Sequence, residues 1–225
     1  DDVRDHDATL ILSNYDNEGG LYLYRIQTGE TRKLASGSVR GFVQVRDRIY
    51  FVSYTGLHCL NAETYEPVRD MELSGYDFCG LIHDEETNQL IIGDTQTDRV
   101  LFVDEENLNI EQSVKFSDKC SRFGKEYHHV NDLLKIGDYV LASVFSVNGW
   151  WRYGLYDGGV IEIDRQSGEI RPIPVKNCWF PHSLELHQGR LYILDSMNGT
   201  LLRDMRDPIF SADGFLRGLE FNGDI

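Results

Sequence analysis

Phe180-Pro181-His182-Ser183-Leu184-Glu185-Leu186-His187-Gln188-Gly189-Arg190-Leu191-Tyr192-Ile193-Leu194-Asp195-Ser196 is the stretch on which the reading of the chain turns. Apolar and polar residues alternate as far as Gln188-Gly189, and a second apolar run then ends in Asp195-Ser196. Alternation over so short a span, bounded by turn residues, is the pattern of two antiparallel strands and not of a helix. The phrase recurs at residues 129–143, at 39–53 and, with a longer turn, at 78–94.

Outward from these copies the chain divides into strand-length segments separated by Gly, Asn and Asp. Four strands are expected in each of the units beginning near residues 39, 78, 130 and 183, and three in the first, at 9–15, 21–26 and 31–34. Residues 116–127 are the one place for a short helix or a long loop. The residues just before the first inner apolar position are Gly41, Gly80, Asp132, Ser183 and Gly218. Subtracting their numbers gives spacings of 39, 52, 51 and 35. A repeat of about 40–50 residues with four strands is the signature of a β-propeller blade. The expected fold is therefore an all-β propeller, a single domain over residues 1–225 with 1–8 as a lead-in. Five blades result if residues 215–223 supply an innermost strand that pairs with 9–15. A truncated six-bladed ring is the alternative.

Composition bounds the function. The 225 residues can bury a full core, and 41% hydrophobic with 12% aromatic content is too rich for disorder. A net charge of −15 argues against a nucleic-acid backbone or an anionic membrane as partner, while leaving room for a local basic pocket. No apolar run approaches the roughly 20 residues that span a bilayer, and residues 1–5 carry no signal-peptide pattern. The four cysteines lack metal-site spacing and read as reduced thiols, which favours a cytoplasmic home.

Five ordered motifs carry a resemblance: His128-His129-Val130-Asn131-Asp132-Leu133, Asp157-Gly158-Gly159-Val160, Pro181-His182-Ser183, Leu191-Tyr192-Ile193-Leu194-Asp195-Ser196 with Asn198-Gly199-Thr200-Leu201, and Phe215-Leu216-Arg217-Gly218-Leu219. Together they resemble a bacterial family of conserved hypothetical β-propeller proteins, a domain of unknown function, over most of residues 10–225. The resemblance implies the fold and no activity. Members of that family continue past the last motif for another blade. A looser similarity is to the gluconolactonase and senescence-marker propellers, which hold a divalent ion, but their acidic ligand set does not map onto these residues.

In a propeller, inner-strand starts and the loops joining second to third strands share one face around the channel. That face collects Arg40, Asp77, His129, Asn131, Asp132, His182, Asp195 and Arg217, and its longest loop, 146–159, holds Trp150, Trp151, Arg152 and Tyr153. A channel histidine beside a carboxylate suits acid–base work, so His129, His182 and Asp132 are the candidate catalytic residues of a hydrolase or lyase. The same residues as a divalent-metal site are weighed lower, since they come from different blades without motif spacing. No cofactor is otherwise implied. Arg40, Asp77, Asn131, Trp150, Trp151, Arg152, Tyr153, Asp195 and Arg217 are the candidate ligand contacts. Aromatic rings stack on sugars and guanidinium forks bind carboxylates. The expected ligand is a small, polar, anionic, carbohydrate-like molecule, with the glycine-rich loop as a lid. The alternative is a non-catalytic scaffold that grips a protein partner through the same aromatics.

Overall fold

The computed structural model describes residues 9–16, 18–73 and 77–221. The lead-in expected over residues 1–8 lies outside them. The chain forms two compact units, Asp1–Phe78 and Cys79–Ile225.

The first unit holds two antiparallel sheets. One has three strands, β1 (Thr9–Asn14), β2 (Gly20–Arg25) and β3 (Thr31–Ser36); the other has four, β4 (Gly41–Val45), β5 (Arg48–Ser53), β6 (Gly56–Asn61) and β7 (Pro67–Glu72). Leu21, Val39, Ile49, Phe51 and Leu60 form their core.

The second unit repeats the four-stranded sheet three times. The strands are β8 (Phe78–Asp84), which begins at the unit boundary, β9 (Gln89–Asp94), β10 (Arg99–Asp104) and β11 (Ile110–Lys115); β12 (Val130–Ile136), β13 (Tyr139–Val144), β14 (Gly159–Asp164) and β15 (Ile170–Pro174); and β16 (Pro181–His187), β17 (Arg190–Asp195), β18 (Thr200–Arg203) and β19 (Asp207–Ser211). Each sheet is a simple meander in chain order. The expected short helix is α1 (Lys119–Phe123). The middle strands are almost wholly buried and the fourth largely exposed, so successive sheets bury their middle strands against each other. Val100, Phe102, Val140, Ala142 and Ile161 make one such interior, and Leu141, Val160, Leu184 and Ile193 the next.

The repeat anchors mark where adjacent inner strands touch. β12 and β16 each carry a bulge, at Asn131 and at Ser183, where the register slips by one residue. The Leu184 N–H donates to Asp132 Oδ2 at 2.9 Å, and the Gly218 N–H donates to Ser183 Oγ at 3.1 Å. At the corresponding position in β8 there is no room for a side chain. Gly80 has φ of 69°, and a Cβ there would lie 3.0 Å from the Asp132 Cα.

One expectation is corrected. The innermost strand expected over residues 215–223 is not formed among the described residues, which end at 221, and there β1 pairs with β2 alone. Gly218 takes a left-handed φ of 74°, and Leu216, Leu219 and Phe221 pack on Tyr192, Leu194 and Leu201 of β17 and β18. Apolar residues at 216, 219 and 221 do not alternate, so the segment buries them by lying across the sheet as irregular chain.

Candidate functional site

The entry to β12 is held by one buried carboxylate. Asp98, in the turn before β10, accepts the backbone N–H groups of Tyr127, His128 and His129, the last at 2.9 Å. Burial nonetheless pushes its carboxyl up to about 6, against the pull of those three bonds. This clamp sets His129 at a left-handed φ of 58° and sends the two adjacent histidine rings apart.

His128 goes inward. Its Nδ1 lies 3.0 Å from the Ser146 carbonyl and so carries the proton, while Nε2 accepts from the Ser117 hydroxyl at 2.9 Å. Burial lowers its pKa to about 4, which keeps the ring neutral. His182 is 5% exposed and saturated in the same way. Nδ1 lies 2.8 Å from both the Phe180 carbonyl and Ser196 Oγ, and Nε2 accepts from Arg217 Nη2 at 2.8 Å. A guanidinium donates only, so Nε2 has no lone pair left for a substrate proton while Arg217 stays in place. Asp132 is held by the Leu184 N–H and raised to about 6 by burial.

His129 faces outward into a group of rings centred on Phe145. The His129 and Phe180 rings lie 4.2 Å from Phe145, and Trp151 and His182 lie 5.7 Å from it. Contacts continue from Phe180 to Tyr156 and from Tyr156 to Trp179, and from His182 to Phe215. A second line runs from Phe123 through Tyr127 and Tyr153 to Trp150. Cations sit on these rings: Lys119 Nζ is 3.5 Å from the Trp150 centroid and the Arg152 guanidinium 4.2 Å from that of Trp151. Arg152 also bonds Glu126.

The two ends of the loop after β13 are tied together. Asp157 accepts from the Ser146 hydroxyl and from Asn148, and residues 151–153 form a turn of 3-10 helix. Gly149, in the loop expected to act as a lid, has φ of 66° and packs on His128, whose Nε2 would be 2.6 Å from an added Cβ.

The remaining candidates divide between the units. In the first, Arg40 pairs with Asp77 at 2.7 Å, donates to the Tyr54 hydroxyl and lies 3.8 Å over the Tyr15 ring. In the second, Asp195 accepts from the Trp179 N–H and the Asn198 side chain, ordering the loop that carries Trp179. Asn131 donates to the His129 and Pro181 carbonyls. Among the described residues no three His, Cys, Asp or Glu side chains gather closely enough to hold a metal ion, and no helix there is long and apolar enough to cross a membrane. Phe145, Tyr156, Trp179, Phe180 and Phe215 were not singled out in the sequence. Phe145, Phe180 and Phe215 sit near strand ends, a pattern that core aromatics share.

No family model matches the chain, and no curated protein matches it. In three dimensions it is similar to the β-propeller domain of Cps50 (Swd1) from Myceliophteria thermophila, with a TM-score of 0.61 at 14% identity, covering 89% of this chain and 62% of that one. The chain thus spans less than two thirds of that protein's length. At this identity the likeness shows the fold alone: an all-β β-propeller of four-stranded antiparallel blades.

Proposed function

We propose that the second unit is a docking module that grips a protein segment through the aromatic face built on residues 123–217. One observation carries this reading. The outer rings of the face are open to solvent, Tyr153 by 62%, Phe215 by 48% and Trp179 by 47%, while the ring nitrogens of His128 and His182 beneath them are all bonded to neighbouring groups. An exposed apolar patch rimmed by polar groups is the usual mark of an interaction site, and aromatic residues and Arg are the types enriched at interface cores. A catalytic role for His128 or His182 would instead require a ring nitrogen left available.

All three tryptophans of the chain lie on this face, so their emission reports on it directly. Peptides selected by display against the full chain should change that emission. Binding should fall at least about tenfold in Tyr153→Ala/Trp179→Ala, with the circular dichroism spectrum unchanged. Selected peptides that bind this variant as well as the parent would overturn the reading.

A second reading keeps the small polar ligand. Asn131 Oδ1 and Trp151 Nε1 are buried acceptor and donor atoms without a hydrogen-bond partner, and both residues touch His129. Such pairs call for a missing partner, and a sugar hydroxyl can serve both. Titration with a panel of sugar acids should then shift tryptophan emission in the parent and not in Asn131→Leu. A silent panel ends this reading.

A further inference from the structure

We infer that the segment docked on the aromatic face is acidic: an extended peptide in which Asp or Glu alternates with aromatic or aliphatic residues. This rests on the docking reading above and adds the partner's chemistry.

The chain carries −15 overall, yet this face does not share that sign. Most of its acidic groups are bonded to neighbouring groups of the protein. Asp94 is held by Thr97 and Arg99, Asp98 by three backbone N–H groups, Asp157 by Ser146 and Asn148, Asp195 by Trp179 and Asn198, and Glu126 by Arg152. In the segments that build the face, 115–128, 145–158, 175–183, 195–199 and 211–219, the exposed acids are Asp118 and Asp213. The exposed cations there include Arg122, Lys125, Lys176 and Arg217, while Arg152 is balanced by its bond to Glu126. At physiological salt, charges more than about 8 Å away are screened. The local sign therefore decides the contact, although the net charge has the opposite sign.

The arrangement also says how charge and apolar area alternate. The Arg122 guanidinium is 5.6 Å from the Phe123 ring, Arg152 4.2 Å from Trp151, and Arg217 5.8 Å from Phe215. A guanidinium packed against a ring still points N–H groups outward, in a fork that matches a carboxylate. At Arg152 and Arg217 some of these donors are already taken, by Glu126 and by His182. Arg122 with Phe123 is therefore the pair that sets an apolar contact beside an exposed cation, and Lys125 and Lys176 add exposed cations on the face. In an extended peptide successive side chains alternate sides, so neighbouring acidic and apolar residues can meet both. A lysine-rich segment would set like charges face to face, which costs specificity and affinity.

The test uses the full chain and three synthetic peptides with the same apolar residues, the intervening positions being Glu, Ser or Lys, together with an oligothymidylate. Tryptophan emission is read at low and high salt. The Glu peptide should bind at least about tenfold more tightly than the Ser peptide, weaken with salt, and outcompete the oligonucleotide, while the Lys peptide stays silent. Arg122→Glu/Lys125→Glu/Lys176→Glu changes exposed side chains only, and it should reverse the preference toward Lys. Equal binding of Glu and Ser peptides, or preference for Lys in the parent, would overturn the acidic assignment while leaving the docking reading intact. Tighter binding of the oligonucleotide would overturn it in favour of a nucleic-acid strand. If neither these nor display-selected peptides bind, the docking reading itself fails.

Discussion

The two ends of the sheets in the second unit are built from the same repeat and treat charge in opposite ways. The turns at 84–88, 104–109, 136–138, 164–169, 187–190 and 203–207 carry eleven acidic residues against four basic ones. There the buried Asp84 carboxylate joins adjacent sheets, bonded to Lys135 at 3.0 Å, to Arg165, and to the Thr87 hydroxyl at 2.6 Å. Burial would raise its pKa, but Thr87, Lys135 and Arg165 outweigh that and hold it below the usual carboxylate range. At the aromatic end the buried acids are satisfied mainly by backbone and hydroxyl groups, and cations are left at the surface beside rings. The lesson is that a buried ion pair joins the sheets at one end, while at the other the outer aromatic rings stay exposed.

The largest expected effect breaks the acidic end. Asp84→Asn removes the buried carboxylate that Lys135 and Arg165 share and leaves them, among the described residues, only the exposed Glu86, at 3.0 and 4.0 Å. Removing one partner of a buried pair costs about 3–5 kcal/mol. Urea denaturation should show that loss; a cost under about 1 kcal/mol would remove the contrast between the ends.

At the aromatic end the comparison sharpens between inner and outer rings. Phe145 is 8% exposed and touches four other rings, so Phe145→Ala should cost about 3 kcal/mol, within the range for a buried aromatic. The same unfolding assay reads it, and a stable Phe145→Ala protein would mean that the ring network is not core.

A smaller effect depends on pH. Burial, reinforced by Glu220 and Asp132, raises Glu185 from 4.5 to about 7. A raised acid stabilises the fold below its unfolded pKa, and that stability is lost as pH climbs from about 4.5 to 7. Glu185→Gln removes this loss. The variant should be the more stable of the two at pH 8, by about 1 kcal/mol once solvent screening of this half-buried group is allowed for, and no more stable at pH 4. His128 runs the other way: its lowered pKa costs stability as pH falls from 6.5 toward 4. The comparison must therefore be between variant and parent at each pH. A difference that does not change with pH would show that Glu185 titrates normally.

The smallest effect is the most telling for function. Trp179→Ala/Tyr153→Ala should change unfolding by no more than about 0.5 kcal/mol, as for exposed sites, while docking is lost. A large loss of stability would place these rings in the structure and not at an interface.

How far these features were legible depends on the distance over which their causes act. The strand pairs, the hairpin turns, the place of α1 and the spacing of five sheets were readable because alternation and turn chemistry act between near neighbours. The anchors Gly80, Asp132 and Ser183 were readable as equivalent positions, though not as contact points, since their partners lie one sheet further on. The irregular path of residues 215–221 was not readable, because an apolar strand and an apolar strap look alike until a sheet is present to cover.

The sequence by itself determined the β-propeller repeat, the net acidity and the residue types that collect at one end of the blades. The tertiary structure decided which of them are free to act. It bonded Arg217 to His182, closed Glu126 on Arg152 and turned Asp98 onto three N–H groups. Those groups are far apart in sequence, and a buried polar group takes whichever partner the packing brings within reach. Only packing therefore distinguishes a histidine that can move protons from one that holds two strands together.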